Sequence, residues 1–403
     1  MKISHVNFAR RFGAGERQTL NLIAGLKRYG FDQILVCRPG SELQRRATAG
    51  GIDTLGISHP LLGHSRSLSS DIIHVHEARA AYWAAIEHAV RKTDYIITRR
   101  TPNPISNSSL TKGIYREAAD LVGVSQYVSN RLAGQISRSV GTILSAATDH
   151  APKLEDVQRI RNGLGGGPVI GHVGALHDRH KGQSVLVEAF HKLAARVPEA
   201  RLVLVGEGPD KARLFNLAKG DERIVFAGFQ EQVGAWIAAM DIFAFPSREE
   251  GHGSAVLDAM ALGVPVIASS AGGLPEMLGD SERGVLLQNH NPAEWAAAMA
   301  AVLAHGNVRG HKVRAAYRFA LQHDISRMCD RYVGIYEGVM RRRQSNSRHM
   351  SQLSDEEFWK QIDASELRKN WGFSGNRTAL PQRRQTPSPT EDDGDCRSSS
   401  NSN

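Results

Sequence analysis

PSREEGHGSAVLDAMALGVPVIASSAGG, residues 246–273, follows the β-branched and aromatic run DIFAF (241–245) and leads into a segment of helical period that stops at Gly263. A buried parallel strand, a glycine loop and a helix are therefore predicted in that order. In open α/β sheets ligands bind at the carboxyl ends of strands, and the first amides of the following helix favour an anion. Gly251 and Gly253 carry no Cβ, so the backbone there can approach a phosphate or a sugar. Glu250 precedes the helix and would repel a phosphate, which assigns it to the hydroxyls of a ligand. Asp258 lies inside the helix, where its carboxylate can accept two hydrogen bonds from a cis-diol such as a ribose.

Working outward, the same alternation recurs on both sides. KISHVNF, QILVC, DIIHVH, DYIIT, DLVGVS and TILS read as strands separated by helix-period stretches within residues 1–150. APKLEDVQRIRNGLGGG (151–167) breaks the pattern and reads as a linker. PVIGHVGAL, RLVLVGEG, RIVFAG, DIFAFPS, VPVIAS and GVLL resume it over 168–325, and 326–343 reads as a terminal helix. The expected class is α/β, with two doubly wound Rossmann-like domains facing a cleft. Residues 344–403 turn polar, rich in Pro, Ser and acid, and are expected to be disordered.

Composition narrows the function classes. A chain of 403 residues with 39 Gly and 6% aromatics fits an α/β protein of two domains. The three cysteines, at 37, 329 and 396, are too scattered for a disulfide framework or a metal cluster, which points to a reducing, cytoplasmic setting. No apolar run of about 18 residues marks a membrane span. The net charge of +9 sits in basic pairs and one triplet without interleaved aromatics. That excludes a base-stacking nucleic-acid platform and leaves peripheral contact with an anionic membrane as the use of the charge.

The stretch 246–273 resembles the signature of the retaining nucleotide-sugar glycosyltransferases of family four, which have the GT-B fold. That pattern is Pro-Ser-x-x-Glu-Gly-Phe-Gly, a small apolar run, a second Glu eight residues after the first, and an Ala-Met-Ala-x-Gly-x-Pro-Val-Ile-Ala tail. Here His252 stands in place of Phe and Asp258 in place of the second Glu. GHVGALHDRHKGQSVLVEAF is similar to the segment whose basic residues neutralise the donor diphosphate, and Lys181 matches its Lys. Ala175 occupies the position of a frequent Arg, and Arg179 is the nearby candidate to supply that charge. FGAGERQTLNLIAGL resembles the loop that closes over the phosphates. The resemblance covers residues 1 to about 340.

It implies a donor site of Gly13, Gly15, Gly251, His252, Gly253, Ser254, Val256 and Asp258, with Glu250, Lys181 and Arg179 at the reacting centre. It also implies transfer of a hexose-type sugar from a nucleotide diphosphate to a saccharide or lipid-linked acceptor, without a metal or other cofactor, as in bacterial lipopolysaccharide core assembly. His76, Glu77, Arg99 and Arg100 close two further strands and are candidates for the acceptor side. His74 and His76 share one strand face, where either an acceptor or the core takes them. His172, His177 and His180 crowd one loop at spacings that do not form a metal site. A nonenzymatic glycan-binding protein and another GT-B enzyme, such as a nucleotide-sugar epimerase, are the competing readings.

Overall fold

The computed structural model describes residues 1–352 except 60, 62 and 65–68, with the backbone alone at 306–309 and 346–352. Two sheets carry the described chain. The first comprises β1 (Lys2–Asn7), β2 (Asp32–Cys37), β3 (Asp53–Gly56), β4 (Ile72–Val75), β5 (Asp94–Arg99), β6 (Asp120–Gly123) and β7 (Gly141–Thr142) in the order 3-2-1-4-5-6-7. The second comprises β8 (Val169–Val173), β9 (Arg201–Val205), β10 (Ile224–Gly228), β11 (Ile242–Phe245), β12 (Val266–Ser269) and β13 (Val285–Leu287) in the order 10-9-8-11-12-13. Every pairing is parallel, from β1 with β2 and β4 to β8 with β9 and β11. Strand order reverses beside β1 in one sheet and beside β8 in the other, so each sheet opens a crevice at the carboxyl ends of β1 and β4, and of β8 and β11. This is the GT-B architecture.

Apolar runs buried on both faces explain why these strands read so clearly. Val6, Val36, Ile73, Val75 and Ile97 pack one face of the first sheet, and Ile3, Ile72, Ile96 and Val122 the other. That second face is completed from far along the chain. The terminal helix, Ile325–Gln352, lays Met328, Cys329, Tyr332, Tyr336 and Val339 against it. The helix therefore runs beyond the expected limits of 326–343 and belongs to the core of the first sheet. The expected disordered tail from 353 onward lies outside the described residues.

Within the stretch 151–167, expected as a linker, Leu154–Gly163 is a helix. Its polar sequence hides the reason: Ile160 and Leu164 reach the second core, and Arg161 donates to the Ala239 carbonyl at 2.9 Å and to Asp241 at 3.2 Å.

One turn fixes the loop after β11. Gly272 has φ +58°, and any Cβ there would overlap the carbonyl of Glu250. Gly272→Ala combines backbone strain with that overlap, at a cost of about 1–3 kcal/mol. Thermal unfolding of the variant is expected to show a lower midpoint together with weaker nucleotide-dependent stabilisation, and an unchanged midpoint would refute the constraint.

Candidate functional site

The wall contributed by the second sheet is built from two loops tied together. After β8 the chain forms the short helix Asp178–Lys181 and turns through Gly182. After β11, Arg248 N–H and the Ser247 hydroxyl donate to the His180 carbonyl at 2.7 and 3.1 Å. The linkage brings Lys181 Nζ to 2.5 Å from Glu250 Oε2 and 5.0 Å from the centre of the Phe245 ring. Asp178 is buried and accepts from Ser184 N–H at 2.6 Å and its hydroxyl at 2.9 Å, with Arg213 as ion-pair partner. These bonds anchor the loop that presents Lys181. Arg179 is exposed. Gly253, at φ +82°, precedes the helix Ser254–Ala261 and accepts from Val256 N–H at 2.8 Å. Val256 therefore contributes no free amide, and those of Ser254 and Ala255 form the positive end of the helix.

The opposite wall comes from the first sheet. Gly13 caps the helix Ala14–Leu26, with its N–H donated to Glu16 Oε2 at 2.9 Å. A Cβ on Gly15 would stand 3.4 Å from Arg100 Cδ, so this loop and Arg100 are neighbours. Arg100 Nη2 lies 3.4 Å from His76 Nδ1, His76 Nε2 3.0 Å from His5 Nδ1, and His5 Nε2 3.1 Å from Gln33 Oε1. A guanidinium only donates. The direction of the whole chain follows: Arg100 donates to His76, His76 to His5, and His5 to Gln33, with both imidazoles neutral. His74 completes the cluster through Tyr336 and Thr98, each at 2.8 Å. The nitrogens of His5, His74 and His76 lie within 4.8 Å of one another, yet each is engaged in these bonds, so the cluster is packed core and no lone pairs converge on a metal.

Two expected acceptor residues serve the fold instead. Glu77 accepts from the N–H groups of Phe8, Arg79 and Ala80 at 3.3, 2.9 and 2.9 Å and so caps the next helix. Arg99 donates to the Asn103 carbonyl at 2.6 Å and holds its loop.

Residues 167–305, which include Lys181, Glu250 and Asp258, match the family model described as Glycosyl transferases group 1. The chain carries a group 1 glycosyltransferase domain. It is 28% identical over 335 residues to the lipopolysaccharide core biosynthesis glycosyltransferase LpsE of Rhizobium meliloti, covering 77% of this chain and 91% of that protein. A GDP-mannose-dependent phosphatidylinositol monomannoside mannosyltransferase of Mycolicibacterium smegmatis is 33% identical over 208 residues, 46% of this chain and 52% of that one. The fold matches Anabaena HepE, solved in complex with UDP-glucose, at TM-score 0.75 and 18% identity over 84% of this chain and all of that one. Among the described residues no helix is long and apolar enough to cross a membrane.

In this glycosyltransferase the two walls meet along contacts that local sequence does not announce. Ser125 accepts from Val128 N–H at 3.2 Å, capping its own helix, and donates its hydroxyl to the Gly251 carbonyl at 2.6 Å. Glu276 accepts from Gln126 N–H at 2.8 Å, and Arg46 pairs with Glu231 at 2.7 Å. Asp258, expected at a ribose, is buried, accepts from Thr148 N–H at 2.7 Å and lies 3.3 Å from His150 Nε2. Its carboxylate ties the helix Ser254–Ala261 to the segment joining the two sheets. These partners are over a hundred residues apart in sequence.

His252, the residue in place of Phe, is buried with neither ring nitrogen hydrogen-bonded. Burial, with the charges of His323 and Arg100, lowers its pKa to about 3, and burial lowers His5 and His172 to about 4. His74 and His76 are also held well below their ordinary value by burial. These groups are neutral when folded and free to protonate when unfolded, so their stabilisation is complete above about pH 6.5 and is lost as pH falls toward 4. Each contributes a slope of about 1.4 kcal/mol per pH unit inside that window. Denaturant titrations at pH 7.5, 6 and 5 are expected to show steadily falling stability, with a shallower fall in His252→Phe. Equal stability at all three values would overturn the assignment of neutral buried imidazoles.

Proposed function

We propose that this glycosyltransferase moves a hexose-type sugar from a nucleoside diphosphate to a saccharide or lipid-linked acceptor, with retention at the anomeric carbon and without a metal. The observation that carries this reading is the Lys181–Glu250 pair at 2.5 Å, set at the carboxyl edge of β8 and β11 beside the amides of Ser254 and Ala255. Residues 168–325 hold the donor and residues 1–150 face the acceptor, while Gly13 and Gly15 approach the phosphates.

The diphosphate takes Lys181 as its cation and the start of Ser254–Ala261 as its dipole, with Arg179 at the rim. Glu250, released from Lys181, accepts from a sugar hydroxyl. Cleavage of the anomeric C–O bond sends its electron pair to the departing phosphate oxygen. The acceptor hydroxyl adds to the anomeric carbon on the same face, and its proton passes to that phosphate. No enzyme nucleophile enters, and fixed charge at the leaving group replaces a divalent ion. LpsE, by its name, acts in lipopolysaccharide core biosynthesis, which supports a cell-envelope acceptor reached by peripheral contact of the basic surface with an anionic membrane.

Thermal unfolding in chelator with UDP, GDP, ADP and CDP in turn tests the donor class. At about a hundred times its dissociation constant, one diphosphate is expected to add roughly 2.7 kcal/mol of stability. Lys181→Ala should abolish that shift and, with a sugar donor, lower kcat/KM about 10²- to 10³-fold. Stabilisation that requires a divalent ion, or an inverted anomer in the product's NMR spectrum, would refute the mechanism.

A further inference from the structure

Arg100 is a cationic side chain of the cleft that is enclosed at its Nε and has no counter-charge among the described residues. Among the described residues no carboxylate forms an ion pair with Arg100, whose one hydrogen bond there is the 3.4 Å contact to His76. Its Nε is enclosed and has no partner. Glu16, the acid nearest in charge, already accepts from Gly13 N–H. A second orphan lies next along the contact surface: His252 is 5% exposed and both of its nitrogens are unpaired. Their backbones meet, because a Cβ on Gly251, the residue before His252, would overlap the Arg100 carbonyl, and the charge of Arg100 is felt at the His252 ring.

Unpaired buried donors of this kind are rare in folded chains, and the cost of leaving them unpaired is high. The His76–His5–Gln33 chain cannot supply the missing charge, since it ends on a neutral amide and serves only to hold the guanidinium. The diphosphate does not require Arg100 either, because Lys181 and the helix beginning at Ser254 serve it from the other wall.

Resting on the donor-cleft reading above, we propose that Arg100 and His252 form an anion site that recognises a carboxylate or phosphate substituent on the transferred sugar or on the acceptor. The guanidinium supplies the charge, and one imidazole N–H supplies a second donor. The site selects substrates by an anionic group other than the diphosphate.

The test uses the full chain, as wild type, Arg100→Gln and Arg100→Lys, with binding read by calorimetry. UDP, UDP-glucose and UDP-glucuronate are titrated, then inorganic phosphate with and without saturating UDP. A preference for UDP-glucuronate over UDP-glucose that Arg100→Gln removes, about tenfold or more, with UDP affinity retained, places the anion on the donor sugar. Phosphate binding that Arg100→Gln abolishes and Arg100→Lys partly keeps, without any preference among donors, places it on the acceptor. Phosphate binding that depends on Arg100 in a protein that takes no nucleotide would sink the donor reading and leave the anion site standing. If no anion besides the diphosphate binds, or if Arg100→Gln weakens UDP itself as much as the other probes, the proposal is overturned.

Discussion

The approach of Gly251 to the carbonyl of Arg100 is the contact on which the site depends, because a side chain at 251 would drive the two walls apart. The loop after β11 is pressed on its other side by Gly272, so its backbone is held closely at Glu250 and Gly251, with no room for a side chain at 251 or 272. Ser125 then seals the contact through the Gly251 carbonyl. A peptide confined in this way has little freedom left to lose when a ligand arrives. Preorganised amides and charges in a dry cleft act on a developing charge more strongly than the same groups in water.

The two walls carry different electrostatics. On the side of β8 and β11, Lys181 and Glu250 neutralise each other at 2.5 Å, so an arriving diphosphate competes with a carboxylate already in place. On the mechanism proposed above, Glu250 gains sugar hydroxyls as it loses the ammonium. Binding of phosphate and of sugar are thereby coupled through one side chain. On the side of β5, Arg100 has no such partner, and burial lowers its pKa, which measures the unpaid desolvation of the cation. Lys181 is therefore neutralised on one wall while Arg100 on the other is not, an asymmetry that composition does not reveal.

Much of the frame was legible because parallel strands buried on both faces write continuous apolar runs, and a glycine loop between such a strand and a helix has few other uses. The placement of Lys181 and Glu250 at that sheet edge was readable for the same reason, since both follow strand ends. What was hidden is long-range. The helix Ile325–Gln352 shows its apolar stripe in sequence, but nothing local says that Tyr332 and Tyr336 will meet His74 across the first sheet. Glu77 and Arg99 have the composition of ligand residues, and only the structure shows their polar atoms spent on backbone groups.

Asp258 links the helix that follows β11 to a distant segment of the chain. Side chains on a helix lean toward its N-terminus, so a carboxylate at this position points back along Ser254–Ala261 toward the cleft. Its carboxylate meets the segment joining the sheets, where the N–H and the hydroxyl of Thr148 donate to its two oxygens. The helix whose first turn faces the donor is thus bonded to the chain about which the two sheets are joined. Any rotation of one sheet relative to the other must carry that helix along or break this bond.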